Sequence, residues 1–203
     1  EGRPFFTMRL VEGQNLAELL AQRRQAPVGE WSLPRLVGVL LRVAETLAFA
    51  HHAGVIHRDL KPANVMVGRF GETYVVDWGL ARRLTAPAGR AERVFGPDSA
   101  EGSALDTQAG DVVGTPAYMA PEQALGDPEA VGAAADVYAL GALLYESLAG
   151  QPPYPGGARQ ALAALRAGPP APLARLAPGA PAELVAIAER ALARLPQQRY
   201  ASM

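Results

Sequence analysis

His57-Arg-Asp-Leu-Lys-Pro-Ala-Asn64 lies between a long apolar helical pattern and a short hairpin pattern, and no other stretch constrains the chain so tightly. In eight residues it offers a carboxylate (Asp59), an ammonium two positions on (Lys61) and a carboxamide oxygen (Asn64), with Pro62 stiffening the path between them. Such groups suit phosphoryl transfer, which asks little covalent chemistry of a protein. It needs a carboxylate to orient the attacking hydroxyl, cations on the phosphates and oxygen ligands for Mg2+. A second carboxylate follows the hairpin pattern in Asp77-Trp-Gly79, so the hairpin brings Asn64 and Asp77 to one end of the site. One carboxylate and one amide oxygen, completed by water and phosphate, form an ordinary set for a hard cation. Gly79 lets the backbone turn sharply there.

Outward from this stretch, Pro4–Val11 reads as a strand, with β-branched and aromatic residues before Gly13. Asn15 is placed to cap a helix from Leu16 to about Arg24, with Glu18 at the third helical position. A Pro/Gly-bearing loop, Ala26–Glu30, follows. Ser32 opens the longest helical pattern, with Pro34 in its first turn. Its expected apolar stripe is Leu33, Leu36, Val37, Leu40, Leu41, Ala44, Leu47 and Ala48, closed by Gly54. Asn64–Val67 and Tyr74–Val76, joined by the Gly68–Glu72 turn, predict a small β-hairpin. From Asp77 to Glu122 the pattern is irregular, and Ala86–Gly110 is rich in Ala, Gly, Pro and Ser. So long a stretch without periodicity reads as a functional or mobile loop. Helical patterns return at Ala135–Leu148, Ala158–Ala167 and Ala182–Leu195, and there is no internal repeat. The expected fold class is α+β, mainly helical with a little β-structure in the N-terminal third.

The chain's 203 residues, 49% hydrophobic and 19% charged, suit one domain with a substantial core. A net charge of −1 argues against nucleic acid or an anionic membrane as the main partner, since both need a basic face. With no cysteine, disulfides and thiolate metal sites are excluded, which fits a reducing compartment and an expected cytoplasmic location. Leu36–Ala50 and Val137–Ala149 are apolar, but Arg42 and Glu45 interrupt the first and Glu146 the second, so no membrane segment is expected. Nor does a basic stretch followed by an apolar one open the chain. Lys61 is the only lysine, which most simply reflects a coding bias towards Arg, Ala, Gly and Pro. A lone lysine nevertheless cannot fill two catalytic positions. His51 and His52 sit near a helix end, where a metal role is not expected.

The loop resembles the catalytic loop of protein kinases. Asp77-Trp-Gly79 stands where that family has Asp-Phe-Gly, and Ala120-Pro-Glu122 matches its Ala-Pro-Glu. Lysine two residues after the aspartate resembles the serine/threonine branch, and Gly114-Thr-Pro-Ala-Tyr-Met-Ala-Pro-Glu122 is similar to the bacterial relatives of eukaryotic kinases. Alone, Asp59 would read as a solvated carboxylate; with the motifs in register it reads as catalytic.

The resemblance implies that Asp59 positions the substrate hydroxyl and accepts its proton, while Lys61 steadies the γ-phosphate of ATP. Asn64 and Asp77 would hold Mg2+. Thr115 would contact Asp59 and Lys61, Met66 would lie beneath adenine, and Met8 would be the gatekeeper. The Arg9 carbonyl and Val11 amide would meet the adenine edge. Asp136 resembles the buried aspartate that holds the His57-Arg58 backbone, and Glu122 and Arg199 resemble the ion pair that braces the lobe. His57 and Trp78 would pack between the lobes. Arg58, with one of Arg82, Arg83, Arg90 or Arg93, would receive an activating phosphate. Thr107 is the first choice for that phosphate, ahead of Ser99, Ser103 and Thr85.

By the same resemblance, residues 1–12 would be the last small-lobe strand and hinge. Residues 13–203 would form the C-terminal lobe, with an activation segment over 77–122 and the final helix missing. The Gly-rich loop, the strand lysine and its helix glutamate are not found, so the small lobe is expected to be absent and this chain inactive alone. The implied partners are proteins bearing Ser or Thr, with self-association for phosphorylation in trans. Any membrane anchor would lie outside these residues. The alternatives are a pseudokinase scaffold, against which the presence of Asp59, Lys61, Asn64 and Asp77 stands, and a small-molecule kinase, against which Lys61 and Thr115 stand.

Overall fold

The computed structural model describes residues 10–26, 29–84, 115–126 and 130–203. Met8, Arg9, Thr85, Arg90, Arg93, Ser99, Ser103 and Thr107 lie outside the described residues, as does the strand expected over 4–11 apart from its last two positions. In chain order the elements are β1 (Gln14–Asn15), α1 (Leu16–Gln25), α2 (Leu33–His52), β2 (Val55–Ile56), β3 (Val65–Val67), β4 (Thr73–Val75) and β5 (Arg82–Arg83). Then come α3 (Pro121–Ala124), α4 (Ala133–Ala149), α5 (Ala158–Ala167), α6 (Leu173–Leu176) and α7 (Ala182–Ala191). Single 3-10 turns cover Pro62–Asn64, Trp78–Leu80 and Pro196–Gln198.

Local chemistry sets the helix ends. Asn15 Oδ1 accepts from the Glu18 amide at 3.0 Å, and the Glu18 carboxylate accepts from the Asn15 amide at 3.1 Å, so α1 starts in a reciprocal cap. Gly150 adopts φ 72° and closes α4 by donating its N–H to the Glu146 carbonyl at 2.8 Å.

α4 is the axis of the core. Tyr138, Leu143 and Tyr145 on it are almost wholly buried, and α2 and α7 pack against it. The approach of α7 is close because Gly141 lacks a side chain: a Cβ there would stand 2.6 Å from the Ala191 Cβ. The sheets are small. β3 pairs antiparallel with β4 (Met66 opposite Tyr74) and with β1 (Met66 opposite Asn15), while β2 pairs with β5 (Ile56 opposite Arg82). Among the described residues no helix is long and apolar enough to cross a membrane.

Several expectations need correction. The buried face of α2 is Leu36, Val39, Leu40, Val43, Leu47 and Ala50, whereas Leu41 is 60% exposed. The expected stripe is rotated from it because α2 is apolar on two faces, and the second one, with Val37, Leu41 and Ala44, lines an open groove of about 460 Å3. The last helix ends at Ala191, not Leu195. Pro196 disfavours helical geometry at the residue before it, and Leu195 is extended (φ −91°, ψ 127°). Arg82 and Arg83 belong to a strand pair instead of a loop, and β1, β2 and α6 carry too few residues to leave a periodic signal.

The α4–α7 contact yields a prediction. Propensity alone makes Gly141→Ala stabilising by about 1 kcal/mol. The clash with Ala191 instead predicts a loss of about 1–3 kcal/mol in urea unfolding.

Candidate active site

A conformation that side chains disfavour lies at the centre of the site. Arg58 has φ 70°, in the left-handed region. It is held by Asp136 in the first turn of α4, a fully buried residue. Asp136 Oδ1 accepts the Arg58 N–H at 2.9 Å, and Oδ2 accepts the His57 N–H at 2.8 Å. His51, near the C-terminal end of α2, places Nε2 2.8 Å from the same Oδ2.

The His57 ring is buried and bridges two parts of the site. Its Nδ1 lies 3.3 Å from the Asp59 N–H and its Nε2 3.1 Å from the Val76 carbonyl. One tautomer serves both contacts: Nδ1 accepts and Nε2–H donates. Trp78 packs edge-on against this ring with centroids 4.6 Å apart, and its own N–H donates to the Val75 carbonyl at 2.9 Å.

Asp59, Lys61 and Asn64 form one cluster. Lys61 Nζ donates to Asp59 Oδ2 at 2.6 Å. Asn64 Nδ2 donates to the Asp59 carbonyl at 2.8 Å and lies 3.4 Å from Oδ2. With its nitrogen committed to Asp59, Asn64 has its amide oxygen left for another partner. The Asn64 carbonyl accepts the Val76 N–H at 2.9 Å, which fixes Asp77 one residue beyond. Asp77 is exposed, at φ 61° and ψ 63°, and a Cβ at Gly79 would stand 3.3 Å from its Oδ1. Among the described residues no three His, Cys, Asp or Glu side chains cluster as a metal site. The free Asn64 amide oxygen and the exposed Asp77 carboxylate are the donor types that suit a cation keeping water and phosphate oxygens, as Mg2+ does.

Other expected residues are more dispersed. Val11 lines a cleft of about 390 Å3 against the β3–β4 turn, with Leu10, Phe70 and Tyr74, and Met66 is not among its walls. Met66 is half-buried in the middle strand. Thr115 is half-buried, and its carbonyl accepts from the Tyr118 N–H at 3.1 Å. Among the described residues no hydrogen bond joins Thr115 to Asp59 or Lys61, and the Lys61 ammonium donates to Asp59. Arg58 is half-buried with its Nε unpartnered, and burial, reinforced by nearby Arg82, holds its guanidinium below the usual arginine range despite Asp136.

Glu122 and Arg199 form a buried two-pronged pair, with both N–O distances 2.7 Å. Arg199 also donates to the carbonyls of Ala134, Ala193 and Arg194, so its charge is fully solvated by protein.

Sequence reading missed three groups. His51 carries no signal in the sequence beyond its place near a helix end, yet its ring bonds the buried Asp136. Glu146 stood out merely as a break in an apolar run, yet its buried carboxylate accepts from Tyr118 OH at 2.7 Å and from Arg24 at 3.1 Å. Burial first, and then Glu146, push the Tyr118 phenol well above its usual range. Gln123 had no assigned role, yet it bonds the Arg58 carbonyl. Tertiary contacts alone reveal these groups, because nothing in their spacing marks them.

The family model described as the protein kinase domain matches residues 2–201. The chain belongs to the protein kinase family. It is 37% identical over 201 residues to a probable serine/threonine-protein kinase, SCO3848, of Streptomyces coelicolor, covering 98% of this chain and 26% of that protein. It is 35% identical over 198 residues to the serine/threonine-protein kinase PknB of Mycobacterium tuberculosis, covering 97% of this chain and 28% of that one. With PknD of Protochlamydia amoebophila the identity is 37% over 160 residues, 75% of this chain and 16% of the relative. This kinase domain sequence thus spans well under a third of the length of these curated relatives.

The Glu122–Arg199 pair makes a prediction about stability. Arg199→Met leaves Glu122 buried and unpaired and costs about 3–5 kcal/mol in chemical unfolding. Adding Glu122→Leu recovers much of that loss, since no orphan charge remains. A double variant no more stable than the single one would contradict this.

Proposed function

We propose that this chain is the C-terminal lobe of a serine/threonine protein kinase, transferring the γ-phosphoryl group of Mg-ATP to Ser or Thr hydroxyls of proteins. The observation that carries the reading is the Asp59–Lys61–Asn64 cluster, with the exposed Asp77 one residue beyond the Val76 N–H that donates to the Asn64 carbonyl.

In this mechanism the substrate hydroxyl donates to Asp59, whose carboxylate takes its proton as the oxygen–phosphorus bond forms. The bond from the γ-phosphorus to the bridging oxygen breaks, and ADP leaves with the electron pair. Lys61 turns from Asp59 to the γ-phosphoryl oxygens. Asn64 and Asp77 would hold Mg2+, which when bound would neutralise charge developing on the phosphates. Val11 and Met66, with Arg9 and Met8, serve the adenine, and Thr115 shapes the pocket for the hydroxyl.

We assign residues 1–12 to the last small-lobe strand and hinge, 13–203 to the large lobe and 77–122 to the activation segment. Lys61 is the only lysine and is committed to the catalytic loop, so the lysine that clamps the α- and β-phosphates must come from another segment. Thr107 is the proposed activating phosphosite, with Arg58 and Arg82 as its cationic receptor. Phosphorylation proceeds in trans between two copies, in the cytoplasm, where ATP is supplied.

The test is autophosphorylation of a chain extended upstream to a full small lobe, beside its Asp59→Asn variant. The variant should incorporate phosphate about 10²–10⁴-fold more slowly, and mass spectrometry should place phosphate on Thr107. The 203 residues alone should show no measurable ATP turnover. No incorporation by either extended protein, with folding confirmed, would replace the enzyme by a scaffold.

A further inference from the structure

The backbone of Arg58 is gripped at both its N–H and its carbonyl, and only one grip belongs to the buried aspartate. Asp136 Oδ1 holds the Arg58 N–H. On the other side Gln123 Nε2 donates to the Arg58 carbonyl at 2.7 Å. The same carboxamide accepts the Ala120 N–H at 3.2 Å through its Oε1. Gln123 thus joins the catalytic loop to the start of α3, where the 77–122 segment ends.

We infer that Gln123 is a positioning residue for Asp59, coupling the end of the activation segment to the backbone from which the Asp59 side chain projects. The inference rests on the phosphoryl-transfer reading above. A carboxamide is required here, because one of its ends donates while the other accepts. Glutamate keeps the acceptor and loses the donor; methionine has the length and neither group. The left-handed Arg58 makes the grip matter. A conformation that side chains disfavour persists only where its surroundings over-determine it. Without the Gln123 donor the Arg58–Asp59 peptide keeps only its N–H contact to the His57 ring nitrogen at 3.3 Å, so its plane can tilt and Asp59 moves with it. A residue that merely capped α3 would act through Oε1 alone, and this separates the two roles.

The experiment compares Gln123→Glu and Gln123→Met with wild type and Asp59→Asn in the kinase chain extended to a full small lobe. Steady-state kinetics and hydrogen exchange over residues 57–60 are both read. Both Gln123 variants should lose roughly 10–100-fold in kcat, with the KM for ATP unchanged, since Gln123 touches none of the proposed nucleotide residues. Exchange over 57–60 should quicken about tenfold in both, while Gln123→Glu keeps wild-type protection across α3. A Gln123→Glu protein with wild-type kcat or wild-type exchange over 57–60 overturns the inference and leaves Gln123 a helix cap. If wild type is no faster than Asp59→Asn, the kinase reading itself fails. Exchange then decides alone: faster exchange in Gln123→Glu supports the tie, and unchanged exchange overturns it.

Discussion

The site depends on one carboxylate. Asp136 takes the backbone N–H groups of His57 and Arg58 and lies 2.8 Å from the His51 ring nitrogen, all within the core. Holding Arg58 left-handed costs about 1–3 kcal/mol. A hydrogen bond to a charged group contributes about 1.5–3 kcal/mol, so two such bonds offset the strain with some to spare. The same bonds answer the desolvation of the carboxylate, which would otherwise be prohibitive at full burial.

From this constraint the rest of the site follows along α4. Asp136 sits in its first turn and Glu146 ten residues later, roughly 15 Å along the axis. One end fixes the loop bearing Asp59, Lys61 and Asn64. The other holds Tyr118, and so the 115–122 segment, through a buried carboxylate also paired with Arg24 on α1. α4 thus serves as a ruler between the loop proposed to carry the chemistry and the segment proposed to receive substrate. The Glu122–Arg199 pair then ties that segment to the C-terminal end of the chain.

The sequence was legible where local rules act. Asn15 and Glu18 mark the cap of α1, the 64–76 pattern marks the hairpin, and the motif spacing marks the site cluster. It was not legible where packing decides. Two apolar faces on α2 left the buried one ambiguous, and only the assembled core selects Val39 and Val43. Two-residue strands such as Val55–Ile56 exist through their partners and leave no periodic trace. His51, Gln123 and Glu146 act on residues 85, 65 and 28 positions away, across contacts that no local pattern encodes.

The central claim is that Asp136 imposes the loop conformation that places Asp59. NMR backbone chemical shifts and couplings for Arg58 in the Asp136→Asn protein test it most directly. Asparagine offers one acceptor oxygen and turns an N–H2 group towards a backbone N–H. The account predicts that Arg58 leaves positive φ while α2 and α4 keep their wild-type shifts. An Arg58 still at φ near 70° in that protein would contradict it.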